Sequence, residues 1–257
     1  MTDFENEVTS RIDANSNNTT LRQTGSDFMH STLTSKYSYN FSWLGRPIIQ
    51  YPQDMLAMQE LIWEIKPDLI IETGIAHGGS LIMNASTLAL LDMCEAIESN
   101  ETIDPRKSNR SVLGIDIDIR SHNREAIESH PMSSRIHMIQ GSSVAPEVIE
   151  QVREYSKGYN RILISLDSNH THDHVLAELQ AYAPLTSVES YCVVFDTIVE
   201  DMPAEMFFDR PWGPGNNPKT AVWEFLKLHP EFEIQKAVDD KLIISVAPDG
   251  YLKRLRK

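Results

Sequence analysis

Two short stretches carry most of the groups able to do chemistry. Leu166-Asp167-Ser168-Asn169-His170-Thr171-His172-Asp173-His174 follows the apolar run Arg161–Leu166, and Val194-Phe195-Asp196-Thr197 closes another, Tyr191–Phe195. Both runs have the length and composition of buried strands, so Asp167 and Asp196 stand at strand tips. Two carboxylates on adjacent tips can share a hard divalent cation such as Mg²⁺, with water and substrate oxygens completing the shell. Such a cation holds a hydroxyl and lowers its pKa. His170, three residues beyond Asp167, can then take the proton. Two other readings stay open. His170, His172 and His174 can form a zinc site, or the whole stretch can be polar residues at the start of a helix.

A second group lies upstream, in Glu72-Thr73-Gly74-Ile75-Ala76-His77-Gly78-Gly79-Ser80, after the run Asp68–Glu72. Glycines let the chain turn sharply and bring backbone amides close to a ligand, with a helix starting just behind. The same pattern also serves as a plain tight turn. The next apolar run ends in Asp116, where a carboxylate can accept from both hydroxyls of a ribose or can cap a helix. Asp118, two residues on, is expected to face solvent. After the third run, Gly141-Ser142-Ser143 stands where an adenine would lie. Ser143 can bond the ring or cap the helix led by Pro146 and Glu147.

The elements that must position these groups alternate. A helix opens at Pro52-Gln53-Asp54 and runs to about Ile65, with Met55, Met58, Leu61, Ile62 and Ile65 on one face, and Pro67 ends it. Strands follow at Asp68–Glu72, Val112–Asp116, Ile136–Ile139, Arg161–Leu166 and Tyr191–Phe195, with helical stretches between most of them, one spanning about Ser80–Ile97. Alternating strands and helices imply a Rossmann-like, doubly wound, mainly parallel α/β sheet. Phe232–Gln235 and Lys241–Val246 flank Asp239-Asp240 and are expected to close the sheet as an antiparallel hairpin. Residues 1–38 form a polar N-terminal segment, expected to be a mobile arm or an oligomer contact, ahead of one domain over 39–257. The loop at about 200–219, with Trp212-Gly213-Pro214-Gly215-Asn216-Asn217-Pro218, is too rich in glycine and proline for helix and reads as a lid. Phe207, Phe208 and Trp212 are its candidates for stacking on an acceptor, unless it is an Ω-loop packed by its own aromatics.

Composition bounds the function. A chain of 257 residues holds one large α/β domain. With 37 acidic and 23 basic residues, the formal net charge of −14 repels phosphate backbones, and the tail Lys253, Arg254, Arg256, Lys257 is too short to reverse that. Cys94 and Cys192 lie in apolar stretches and suit a reducing compartment. No signal-peptide pattern and no apolar run approaching 18 residues is present, so a cytoplasmic protein without a membrane span is expected.

With these residues in view, the chain resembles the cephalosporin hydroxylase-like family, which includes rhamnosyl O-methyltransferases, over roughly Phe41 to Val246. The resemblance rests on Trp43-Leu44-Gly45 with Gln50-Tyr51-Pro52-Gln53-Asp54, on Pro67–Gly74 with His77-Gly78-Gly79-Ser80, on Leu166-Asp167-Ser168 with His170 and His174, and on Gly213-Pro214-Gly215 before Ala221-Val222. It implies S-adenosylmethionine and Mg²⁺-dependent O-methylation of a small-molecule hydroxyl, on a sugar or secondary metabolite, in bacterial natural-product or glycan pathways. By that likeness Glu72 and Gly74 line the methionine part of the cofactor, with His77, Gly78 and Ser80 in the same loop. Asp116 takes the ribose, Ser143 the adenine, and Asp167 and Asp196 the metal. Relatives tend to carry an acidic residue at the place of Phe195, which leaves Thr197 or a water to replace that ligand. Two rival functions remain in play: an NAD-dependent oxidoreductase, opposed by the missing Gly-x-Gly-x-x-Gly and the terminal hairpin, and a non-catalytic cofactor-binding partner of another enzyme. The apolar segment after residue 38 also makes a homo-oligomer plausible.

Overall fold

The computed structural model describes residues 2–256, so Met1 and Lys257, the outer ends of the polar segment and the basic tail, lie outside the described residues. Helices α1 (Asp3–Ser16) and α2 (Thr19–Thr34) precede a two-stranded antiparallel ribbon, β1 (Phe41–Trp43) and β2 (Arg46–Ile48). Helix α3 (Pro52–Ile65) opens with proline at its first position, where the missing N–H costs nothing, and ends at Lys66 with φ 50°. Strand β3 (Leu69–Thr73) is buried along its whole length. It is followed by α4 (Gly79–Ser99), β4 (Ser111–Asp116), α5 (Ser121–Glu128), β5 (Ile136–Gln140), α6 (Pro146–Ser156), β6 (Ile162–Leu166), α7 (His172–Tyr182) and β7 (Tyr191–Val194). The chain closes with α8 (Pro218–Leu226), β8 (Phe232–Ile234), α9 (Lys236–Leu242) and β9 (Tyr251–Arg254).

The main sheet runs β5-β4-β3-β6-β7-β9-β8. The first five strands are mutually parallel, with Leu69 opposite Ser111 on one side and Ile162 on the other. Strand β9 is antiparallel to both β7 and β8. The expected doubly wound sheet with an antiparallel end is therefore present. Chain order reverses at β3, flanked by β4 and β6, and in open α/β sheets the ligand crevice lies outside the strand ends at such a point.

Two apolar layers cover the sheet. One packs Met58, Leu61, Ile62, Leu81 and Leu88 of α3 and α4 on one face, and the other packs Val148, Leu179, Val222 and Phe225 of α6, α7 and α8 on the opposite face. Helix α4 is long and apolar enough to cross a membrane by length and composition, but most of that stretch is buried inside the fold, as in a core helix.

One expectation is corrected. Lys241–Val246 is not the second strand of the terminal pair. Its start belongs to α9, Ile243 turns the backbone to φ 61°, and Ser245 and Val246 are drawn inward by the buried carboxylate of Asp54. Strand β9 comes later and buries Tyr251 and Leu252 fully. The polar N-terminal segment is helical. Thr2 and Glu5 form a reciprocal capping box that starts α1, while α2 buries Gly25 and Met29.

Candidate active site at the carboxyl end of the sheet

The glycine loop continues directly from β3. The Gly74 amide donates to the Ile115 carbonyl at 2.8 Å, and Gly74 takes φ 90°. A Cβ at Gly74 would overlap the Asp167 carbonyl oxygen, so the loop passes the tip of β6 at a distance that only glycine allows. Gly78, at φ 81°, forms the N-cap of α4. Two groups that sequence reasoning missed hold this loop from outside. Arg46 of β2 donates to the His77 carbonyl through Nε (3.0 Å) and Nη2 (2.5 Å), and Asn123 of α5 donates to the Ala76 carbonyl at 2.9 Å. Such long-range contacts leave no local pattern in the sequence.

Glu72 is buried, at 2% exposure, and its carboxylate accepts from Ser80 Oγ and, at 2.9 Å, from Asn84 Nδ2. Burial pushes its pKa up to about 7, although both hydrogen bonds pull the other way. Asp116 is not a helix cap. Its Oδ2 accepts from the Ile75 and Ala76 amides at 2.8 and 3.1 Å, and Oδ1 accepts from Asp118 N at 3.0 Å. The carboxylate thus fixes the loop while facing the cleft, and Asp118 faces solvent as expected.

The strand tips of β6 and β7 meet. One ligand atom each from Asp167, His170 and Asp196 lie within 4.8 Å of one another, and His170 Nε2 is 3.1 Å from Asp196 Oδ2. Asp196 sits at φ 55°, a left-handed conformation that aspartate tolerates better than most residues. Burial, then the carboxylates of Asp196, Glu72, Glu178 and Asp54, hold Asp167 well above the usual carboxylate range. A surplus of negative charge in a recessed, oxygen-rich cluster is what a hard cation neutralises, so these residues fit Mg²⁺.

Thr197 does not belong to the cluster, which corrects the expectation that it replaces the ligand lost at Phe195. The residue is buried and its hydroxyl donates to the Pro248 carbonyl at 2.6 Å. Nor do the three histidines converge on a zinc ion. His172 Nδ1 pairs with Thr220 Oγ1 at 2.8 Å, and His174 Nε2 meets Ser143 Oγ at 3.1 Å and Ser168 Oγ at 3.3 Å. Ser143 is buried behind this contact and is absent from the cleft lining. It does not cap α6 either, since Ala145 holds that place.

The cleft between these groups measures about 790 Å³. The glycine loop and Asp116 form one wall, and Leu33 in the last turn of α2, with Lys36 and Tyr39 just after it, forms another. Phe207, Phe208 and Trp212 of the loop after β7 close the third side. Glu200 anchors that loop by accepting from the Gly215 amide at 2.7 Å and from Asn217 Nδ2. The Trp212 ring stands edge-on to His170, with centroids 4.8 Å apart and planes at 87°. A volume of this size suits a nucleoside-sized ligand together with part of a second molecule.

A parallel sheet of this order, with a glycine loop after its central strand and acidic residues at three strand tips, defines a Rossmann-like domain of the methyltransferase type. The chain belongs to the rhamnosyl O-methyltransferase/CmcI family, whose model matches residues 35–255. It is 28% identical over 215 residues to a rhamnosyl O-methyltransferase of Mycobacterium leprae, covering 83% of this chain and 82% of that one. Its fold is similar to that of CmcI solved with Mg and SAM (18% identity, 85% and 78% of the two chains, TM-score 0.52). It is also similar to that of a Bacillus cereus O-methyltransferase solved with SAH (15%, 80% and 81%, TM-score 0.50). Membership makes the chain an S-adenosylmethionine-dependent O-methyltransferase acting on a small molecule, and it decides against the oxidoreductase and the non-catalytic partner.

Proposed function

We propose that the enzyme methylates a hydroxyl of a sugar or secondary metabolite, with Mg²⁺ held by Asp167 and Asp196. The observation that carries this reading is the convergence of Asp167, His170 and Asp196 opposite the glycine loop, in one cleft. When bound, S-adenosylmethionine supplies an electrophilic methyl group and the cation acidifies the hydroxyl it touches. Gly74 accommodates the methionine end, with His77 and Ser80 continuing that wall; Glu72 and Gly78 do not line the cleft, and the buried Glu72 carboxylate holds Ser80 and Asn84 from behind. Asp116 accepts from the ribose hydroxyls. His170 Nε2–H donates to Asp196 Oδ2, which leaves Nδ1 to accept the acceptor's proton and lets the carboxylate stabilise the imidazolium so formed. Trp212 excludes water beside the imidazole. CmcI, solved with Mg and SAM, supports the pairing of cofactor and cation.

Calorimetric titration with S-adenosylmethionine, with NAD as a control, combined with methyl transfer to a panel of sugar and phenolic hydroxyls, tests this reading. Chelation of the metal is expected to abolish transfer and leave S-adenosylmethionine binding nearly intact. Full activity in excess chelator, with Asp167→Asn unimpaired, would show that the strand-tip carboxylates are structural.

A further inference from the structure

Beside Asp167 lies a cavity of about 20 Å³, bordered also by Gln50, Asp54, Glu72 and Phe195. A single water needs about 10–15 Å³, so the space admits one small ligand. Phe195 offers it no ligand atom, because its side chain is a hydrocarbon ring packed into the core. Gln50 borders both this cavity and the cleft. It is only 7% exposed, and its Oε1 has no hydrogen-bond partner among the described residues, while its Nε2 lies 3.4 Å from Asp167 Oδ2. A buried carbonyl oxygen left unpaired costs about 1–3 kcal/mol, and the long contact made by Nε2 does nothing to offset it. Turning the amide over exchanges oxygen and nitrogen at almost unchanged shape and sets the oxygen against Asp167 Oδ2, an arrangement that a cation between the two oxygens makes favourable.

We propose that Gln50 completes the cation site, its amide oxygen ligating Mg²⁺ beside Asp167 and Asp196 where Phe195 supplies nothing. The proposal rests on the reading of those two carboxylates as cation ligands. An amide oxygen is a ligand that Mg²⁺ accepts, but it brings no charge. The ion is therefore held less tightly than by three carboxylates, and it keeps more of its charge for the hydroxyl.

Binding of Mn²⁺, followed by the loss of its free-ion paramagnetic resonance signal, with Mg²⁺ as competitor, reads this directly and without turnover. Gln50→Leu is expected to weaken Mn²⁺ binding by about tenfold or more, and Gln50→Glu to tighten it by about as much, with metal-free S-adenosylmethionine binding little changed in either. Asp167→Asn separates the two claims. If wild type and Asp167→Asn bind Mn²⁺ equally, or neither binds it, the carboxylate reading falls and takes this proposal with it. If Asp167→Asn weakens binding while Gln50→Leu matches wild type, Gln50 alone is excluded and its oxygen faces a water in the cavity. Should Gln50→Leu fail to fold, Gln50→Glu decides, since unchanged or weaker binding overturns the proposal.

Discussion

His170 stands before the first turn of α7, held between Asp196 Oδ2 at 3.1 Å and the edge of Trp212. A base so placed accepts a proton only while its imidazole is neutral, and its removal leaves the hydroxyl to be deprotonated by solvent. His170→Ala is accordingly expected to lower kcat by about 10²–10⁴-fold, with part of the rate returning at higher pH as hydroxide takes over. A pH–rate profile of the variant checks this, and a variant as fast as wild type at neutral pH would remove His170 from the chemistry. Asp167, His170 and Asp196 were legible because each follows a recognisable strand, and strand ends in such sheets gather at one crevice. Thr197 and Ser143 were not legible as structural residues, because their partners come from elsewhere. The Thr197 hydroxyl is claimed by a carbonyl 51 residues away, and Ser143 by an imidazole on α7. No spacing rule distinguishes a hydroxyl facing a ligand from one facing the next loop.

The strands of the parallel part were readable for a simple reason: β3, β6 and β7 are buried at every position, and a strand covered on both faces is a short, unbroken apolar run. Strand β9 is just as central to its neighbours but ends in Lys253 and Arg254, so the more apolar run before it took its place in the reading. What decides the matter is Asp54, which no local pattern flags. Fully buried in the first turn of α3, it accepts from Ser245 Oγ (2.6 Å), Val246 N (3.0 Å) and Tyr251 Oη (2.9 Å), so it draws the segment between α9 and β9 inward. Burial outweighs these bonds and raises its pKa from 3.8 to about 6. A raised carboxyl favours the folded state most when protonated, below its unfolded pKa, and that contribution is lost as pH rises through about 6. Asp54→Asn removes this titration. Between pH 4.5 and 7, wild type is expected to lose about 2 kcal/mol of stability relative to the variant. Urea unfolding of both proteins across that range measures it, and parallel stability curves would mean that the Asp54 carboxyl titrates as it does in the unfolded chain.

At the scale of the whole molecule, the N-terminal segment divides into two parts with different roles. Helix α1 buries none of its residues, and its tie to the body includes the Asn15 amide donating to the Asp240 carbonyl at 3.0 Å. Helix α2 is built in. A Cβ on Gly25 would press within 2.8 Å of the Ile243 side chain, Met29 is 2% exposed, and Thr32 Oγ1 meets the buried Tyr51 hydroxyl at 2.8 Å. Two buried positions in sixteen residues are too few to raise an apolar period above a polar background, so the sequence could not separate α2 from α1. The last turn of α2 and the segment just after it also form the cleft wall at Leu33, Lys36 and Tyr39, so their position bears on the acceptor. Removal of residues 2–17 is expected to change stability by no more than about 1 kcal/mol and to leave the acceptor's KM near that of the full chain. Met29→Ala, in contrast, opens a cavity where α2 meets the core and is expected to cost about 2–5 kcal/mol, lowering Tm by about 4–15 °C. Because the wall after α2 then loosens, the same variant should raise the acceptor's KM more than it weakens S-adenosylmethionine, whose wall is the glycine loop on the other side. Thermal scans and initial rates on both proteins test the division. A truncation as costly as Met29→Ala would make α1 and α2 one structural unit, and equal losses for acceptor and cofactor would detach α2 from the acceptor wall.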